Sequence, residues 1–275
     1  MPKHAGRNRE HTTSGYAPAR LRGEYRARSL SREGAFFVPH LKPGQSVLDC
    51  GCGPGSITVD IALYVGSSSV VGIDRVGDQL VEARALAQTR GAQNATFREA
   101  DVCALPFDDA CFDAVFAHAM LYHVPDPLAA VREIHRVLKP AGVFGTRDVD
   151  EQASLVGASN PTFARAGEIT RKLLEARGAD PYFGRKLRPL LRDGGFSRIE
   201  ISASFDLYTS RDQVETIAAF GAEQLESPRV MKLVVEQGWA TDVELSQMAE
   251  AYRAWGTDPD AWAARGRVEA VGWKE

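Results

Sequence analysis

SVLDCGCGPGSI, running from Ser46 to Ile57, is the stretch that decides the fold. Val47 and Leu48 form a short apolar run, Gly51, Gly53 and Gly55 make a tight turn, and an apolar-periodic segment from Ile57 to Leu63 follows. A strand, a turn and a helix start are predicted in that order. Glycines at this spacing admit positive φ and let a ligand approach bare backbone, while the first N–H groups of the helix lack internal partners. The turn is suited to a polar ligand. A dinucleotide loop would space its glycines Gly-x-Gly-x-x-Gly. Here the pattern is Gly51-x-Gly53-x-Gly55, with Pro54 inside the turn and Asp49 just before it.

Outward from the loop, strands and helices alternate. Lys42-Pro43-Gly44 turns the chain into strand one, Ser46 to Cys50, and Val70 to Ile73 is a second apolar strand ending at Asp74. In nucleoside-binding α/β sheets a carboxylate at that place accepts hydrogen bonds from ribose hydroxyls; the other reading of Asp74 is a turn or N-cap aspartate. Leu80 to Ala87 is a predicted helix, Ala95 to Glu99 a third strand leading to Asp101-Val102, and Phe112 to Ala117 a fourth with His118 at its end. A carboxylate at Asp101 suits an adenine amine, which donates. A helix follows through Ala129 to Val137, Leu138-Lys139-Pro140-Ala141-Gly142 stops it, and Val143 to Thr146 opens strand five. Such alternation over 46–149 implies a parallel sheet covered on both faces.

Composition narrows the class. The chain has 275 residues, 44% hydrophobic and 25% charged, with a net charge of −3. That is enough for one enlarged α/β domain, and two independent domains are not expected. No run approaches the roughly 20 apolar residues of a membrane span, so membrane insertion is not expected and a cytoplasmic location is. The net charge supplies no general attraction for nucleic acid or anionic membrane. Arginines do gather at the N-terminus, at Arg7, Arg9, Arg20, Arg22, Arg26, Arg28 and Arg32, without the apolar core of a secretory signal. Four cysteines, Cys50, Cys52, Cys103 and Cys111, fit no disulfide framework or zinc spacing, and no metal is expected.

The Gly loop, Asp74, Ala100-Asp101-Val102, Phe112-Asp113-Ala114-Val115 with His118 and His123, and Leu138-Lys139-Pro140-Ala141-Gly142 stand in order. As a set they resemble the class I S-adenosylmethionine-dependent methyltransferases, in the branch that includes the ubiquinone and menaquinone biosynthetic enzymes. The resemblance covers about residues 35 to 150. It implies a Rossmann-like seven-stranded sheet, mostly parallel with an antiparallel edge strand, helices on both faces, an N-terminal helical arm and a helical cap insertion. The implied parts are 1–41 arm and helices, 42–210 methyltransferase core, 211–264 cap and 265–275 final edge strand. The implied cofactor is S-adenosyl-L-methionine, leaving as S-adenosyl-L-homocysteine. Asp49, Gly51, Gly53 and Gly55 would face its methionine part, Asp74 its ribose, Asp101 and Val102 its adenine with Gln79 at the border, and His118 would lie beside it. Tyr16, otherwise an aromatic anchor of the arm, would close over it.

Methyl transfer asks the protein for alignment, desolvation and, for some acceptors, a base. His118, His123, Tyr122, Asp148 and Asp150 are the candidate bases, with His123 named as catalytic and an orienting role in its loop as the other reading. The expected acceptor is a small, largely apolar molecule methylated at O, N or C, in natural-product biosynthesis, with quinone-ring C-methylation as the runner-up. A non-catalytic cofactor-binding sensor or scaffold is the reading from another class. Nucleic-acid methylation has only the basic arm behind it. The 211–264 helices either cap the acceptor, pack on the sheet, or make a homodimer or larger homo-oligomer.

Overall fold

The computed structural model describes residues 19–275, with side chains from Gly23 onward. The elements, in chain order, are α1 (Ala19–Arg26), α2 (Leu30–Glu33), β1 (Val47–Cys50), α3 (Ser56–Val65), β2 (Val70–Asp74), α4 (Gly77–Arg90), β3 (Ala95–Glu99), β4 (Phe112–His118), α5 (Pro127–Val137) and β5 (Leu138–Val149). They continue with β6 (Leu155–Gly157), α6 (Pro161–Ala176), α7 (Leu187–Asp193), β7 (Arg198–Tyr208), α8 (Arg211–Glu226), α9 (Pro228–Glu236), α10 (Asp242–Thr257) and β8 (Trp262–Trp273). Local chemistry sets many helix starts. Asp126 and Asn160 accept from the backbone N–H groups of Ala129 and Phe163, with Pro127 and Pro161 at the first turn. Ser210 with Gln213, and Thr241 with Glu244, form reciprocal capping boxes at α8 and α10.

The strands form one sheet in the order β3-β2-β1-β4-β5-β8, with β7 outside β8. β1 to β5 pair in parallel, and β8 is antiparallel to both β5 and β7. The count is eight strands rather than the seven expected. The addition is three-residue β6, which pairs with Trp262–Ala264 on the side of β8 that β5 has left. Two apolar residues, Leu155 and Val156, are too short a run to announce a strand. The last strand was also expected at the edge from residue 265. It begins at Trp262 and lies inside, hydrogen-bonded on both sides, and β7 is the edge. β5 is longer than its predicted core, because the Leu138–Gly142 stop pairs with Phe112 before the register shifts.

Helices cover both faces. α3 and α4 pack on one, together with Leu30, Phe37 and Leu41 of the N-terminal segment. On the other face lie α5 and α7. A third apolar cluster joins α6 to α8, α9 and α10 through Phe163, Ile169, Leu225, Met248 and Trp255. β5 ends, β7 ends and β8 begins at the same edge of the sheet, so α8–α10 connect strands at the carboxyl edge of the parallel strands. Ligands of open α/β sheets bind at that edge.

The N-terminal segment docks through a close contact. Phe37 is fully buried, its ring centroid 5.6 Å from that of Phe116. A Cβ on Gly145 of β5 would stand 2.3 Å from the Phe37 ring. Gly145→Ala should cost about 1–3 kcal/mol in urea unfolding through overpacking. In a Phe37→Ala background, itself about 3–5 kcal/mol less stable, the same change should cost less than half as much. Strictly additive losses would show that the ring and the bare glycine do not form one contact.

Candidate active site

The Gly loop folds back onto the end of β2. Gly51 and Cys52 N–H groups donate to the Ile73 carbonyl at 2.8 and 2.9 Å. The Gly53 N–H donates to Asp74 Oδ2 and the Val76 N–H to Asp74 Oδ1, each at 2.9 Å. Each carboxylate oxygen retains capacity for another donor. Burial pushes the Asp74 pKa up, against these two bonds. Gly51, Gly53 and Gly55 have φ of 74°, 53° and 81°, the left-handed region where a side chain is strained. Two of the three also have packing reasons: a Cβ on Gly51 would meet Met120 Cγ at 2.5 Å, and one on Gly55 would meet Ala83 Cβ at 2.7 Å.

α3 starts on Gly55, and among the described residues the N–H groups of Ser56, Ile57 and Thr58 have no acceptor. The positive end of a ten-residue helix thus lies against the loop. Ser56 Oγ donates to the Tyr25 carbonyl at 2.9 Å, and the Leu30 N–H to Asp60 Oδ2 at 2.9 Å. Those two bonds hold the segment from α1 to α2 over the loop and α3. Tyr16 lies outside the described residues. Asp49 is 3% exposed and accepts from Thr58 Oγ1 at 2.6 Å, tying β1 to the first turn of α3. Burial raises its pKa to about 7, Thr58 opposing and Asp74 adding to the rise.

Past Asp74 the expected adenine side assembles from three elements. Gln79, in the first turn of α4, is buried, and its Nε2 has no hydrogen-bond partner. The Ala100 N–H bonds the Asp74 carbonyl at 3.2 Å, bringing the end of β3 beside that of β2. Asp101 is exposed and accepts the Cys103 N–H at 2.9 Å, whereas Val102 is buried in the core.

His118 ends β4 and faces a row of charge. It pairs in register with Arg147 of β5, which pairs with Glu269 of β8. Arg147 is 2% exposed. Its Nη1 lies 3.1 Å from His118 Nε2, its Nη2 2.7 Å from Asp206 Oδ1, and its Nε 3.2 Å from Glu269 Oε1. Burial, then the charges of Arg28, Arg267 and Arg147, hold the His118 pKa well below its ordinary value. The imidazole is neutral and accepts from Arg147 on Nε2, so Nδ1 carries the proton. That Nδ1 is sealed from solvent without a partner. Asp148 points from the opposite face of β5, and its Oδ1 is also sealed and unpartnered. Burial raises the Asp148 pKa to about 7, with Arg267 the leading opposing charge.

The other candidate bases differ. Burial, with the Arg28 charge added, holds His123 at about 4, although part of the ring stays open to solvent; it stacks on Tyr122 at 3.7 Å between centroids. Burial pushes Tyr122 up to about 12. Asp150 is taken by a two-bond clamp from Arg185 Nε and Nη2 at 2.6 and 2.7 Å and held low by it. Arg147, Asp206, Arg267 and Glu269 were not foreseen as site residues. Their signal was charges at alternate positions, Arg265, Arg267 and Glu269, in the β-like run of the last strand.

One consequence concerns stability. Asp49 is neutral in the fold up to about pH 7 but ionises near pH 4 in the unfolded chain. Its contribution is present at low pH and lost as pH rises from about 4 to 7. Thermal melts of wild type and Asp49→Asn should therefore converge in favour of the variant as pH rises through that window. A constant difference would place the Asp49 titration elsewhere.

Residues 41–182 match the family described as a methyltransferase domain. The protein named Probable methyltransferase ltbC, from Aspergillus luteorubrus, is 30% identical over 264 residues, covering 90% of this chain and 92% of that one. Cycloartenol-C-24-methyltransferase 1 of Oryza sativa subsp. japonica is 38% identical over 128 residues, 46% of this chain and 37% of its own. In fold the chain is similar to phosphoethanolamine N-methyltransferase 2 of Haemonchus contortus, solved with phosphomonomethylethanolamine and S-adenosylhomocysteine. The TM-score is 0.55 at 19% identity, over 89% of this chain and 53% of that one. A matched domain that contains the whole loop-to-strand-five site, and a relative aligned almost end to end, make the assignment: this chain belongs to the class I S-adenosylmethionine-dependent methyltransferases.

Proposed function

We propose that the enzyme transfers a methyl group to O, N or C of a small acceptor enclosed between the N-terminal helices, the carboxyl edge of the sheet and the helical unit of α6 and α8–α10. One observation carries this reading. Among the described residues, three buried side-chain atoms lack a partner, Gln79 Nε2, His118 Nδ1 and Asp148 Oδ1, and all three belong to the carboxyl edge of the sheet. Unmatched buried polar atoms cost about 1–3 kcal/mol each, and their gathering around one edge is accounted for by ligands that complete them.

Within this reading the loop at Gly51, Gly53 and Gly55 takes the methionine part of the cofactor, with the free N–H groups of α3 beneath it. Asp49 supports that loop through Thr58. Asp74 has lone pairs left for the ribose hydroxyls, and Gln79, Asp101 and Val102 border the adenine. His118 offers its Nδ1–H beside the reacting centre. S-adenosylmethionine supplies a methyl group on a positively charged sulfonium. The protein contributes alignment, exclusion of water and removal of a proton where the acceptor carries one. For that proton His123, held at about 4, is a weak base at neutral pH, whereas Asp148, raised to about 7, is matched to the task.

Titration calorimetry with S-adenosylhomocysteine tests the reading. Wild type should bind, and Asp74→Ala should bind at least about tenfold more weakly, the loss expected for hydrogen bonds to a charged group. No binding by wild type would remove the proposal. Asp148→Asn should leave that affinity within a factor of about two and lower kcat about a hundredfold, the usual worth of a general base. His123→Ala should lower it far less. The reverse ranking would return the proton to His123.

A further inference from the structure

The charged row at the acceptor side is not closed. Asp206 binds Arg147 on one carboxylate oxygen and Arg267 Nε on the other, the latter at 2.7 Å. Arg147 spends its remaining donors on His118, Ser204 and Glu269. Arg267, only 5% exposed, makes no hydrogen bond through either Nη nitrogen among the described residues. Neither Nη is sealed, since the sealed, unpartnered atoms belong to Gln79, His118 and Asp148. The Arg267 fork therefore keeps slight solvent access on an otherwise buried side chain.

Arg28, on the short link after α1, is the second open cation. Its guanidinium lies 4.2 Å from the Tyr25 ring centroid, and among the described residues it has no carboxylate within ion-pair distance. Its charged neighbours are Arg267, which repels it, and Asp206. Locally, the guanidinium groups of Arg28, Arg147 and Arg267 lie near Asp206, Glu269 and the buried Asp148, and only Arg267 and Arg28 keep donors without a hydrogen-bond partner among the described residues. A planar guanidinium with both Nη groups free matches the two oxygens of a carboxylate. The Tyr25 ring, in contact with the Arg28 guanidinium, places an aromatic face beside it.

We propose that the free fork of Arg267, supported by the charge of Arg28, is a subsite for a carboxylate carried by the acceptor. The substrate class is then a small carboxylic acid with an apolar, aromatic body. This rests on the methyltransferase reading of the same site. Position argues against the cofactor's own carboxylate as occupant. β8 lies two strands from β4 and three from β1, a backbone separation of about 10 Å and about 14 Å at about 4.8 Å per strand. An acceptor reacting beside His118 and extending across β5 spans that interval.

The test titrates protein preloaded with S-adenosylhomocysteine with benzoate, 4-hydroxycinnamate and decanoate, and with the neutral amide of each. At least one acid should bind about tenfold or more tightly than its amide, the discrimination of a charge-assisted pair. Arg28→Gln and Arg267→Lys should each abolish that preference. Arg267→Lys keeps a charge for Asp206, and Arg28→Gln removes a residue bonded to no carboxylate, so both variants should melt cooperatively like wild type. S-adenosylhomocysteine affinity should stay within about twofold in both, as expected when no cofactor hydrogen bond is lost. Acids and amides binding alike, or no acid binding, overturns the proposal. A parallel loss of S-adenosylhomocysteine affinity also overturns it, because the fork would then hold the cofactor. Failure of wild type to bind S-adenosylhomocysteine strikes the underlying reading instead, and the acid-to-amide preference still reads the subsite on the free protein.

Discussion

The bond from the Gly53 N–H to the Asp74 carboxylate is the constraint on which the site depends. It closes the loop after β1 onto the end of β2, so one carboxylate fixes the position of the loop, the start of α3 and its own free lone pairs. The loop can take this path only because Gly51, Gly53 and Gly55 accept positive φ. Bulk at Gly51 or Gly55 would also press on Met120 or Ala83, so loop conformation and core packing are coupled. From that point the Ser56 bond to the Tyr25 carbonyl carries the order outward to the N-terminal helices.

A second constraint lies across the sheet. Burying Arg147 with Asp206, Glu269 and His118 is expensive, since desolvation of charge offsets most of the attraction. The row is tolerable because almost every donor has an acceptor in place. The exceptions, His118 Nδ1 and the Arg267 fork, mark where the protein is incomplete on its own. A neutral His118 follows from the same arrangement. Burial, with three nearby guanidinium groups added, disfavours its protonation, and Arg147 selects its tautomer. In the proposed site this leaves an uncharged donor, which would not repel a positively charged sulfonium.

Much of the architecture was legible in local signals. Ala95 to Glu99 was located to the residue, and the helix starts at Asn160, Ser210 and Thr241 rest on chemistry between neighbours along the chain. β6 was not legible, since three residues carry no periodicity and pair only because β5 leaves room beside β8. The interior place of the last strand was hidden for a related reason. The resemblance implied an edge, yet Arg267 and Glu269 find partners on the two neighbouring strands.

The sequence alone determined the cofactor and marked the residues proposed to hold it. Gly spacing, Asp74 at a strand end and Asp101 beyond the next strand are separated by short, regular intervals, and their meaning is set by strand–turn–helix geometry that any such segment adopts. Only the tertiary structure decided the charged row proposed to meet the acceptor. Arg28, His118, Arg147, Asp206 and Arg267 come from five separate segments and meet because β8 returns between β5 and β7 while the N-terminal helices fold over the carboxyl edge. Which of them is left without a partner depends on hydrogen-bond directions across strands, and no pattern along the chain encodes those.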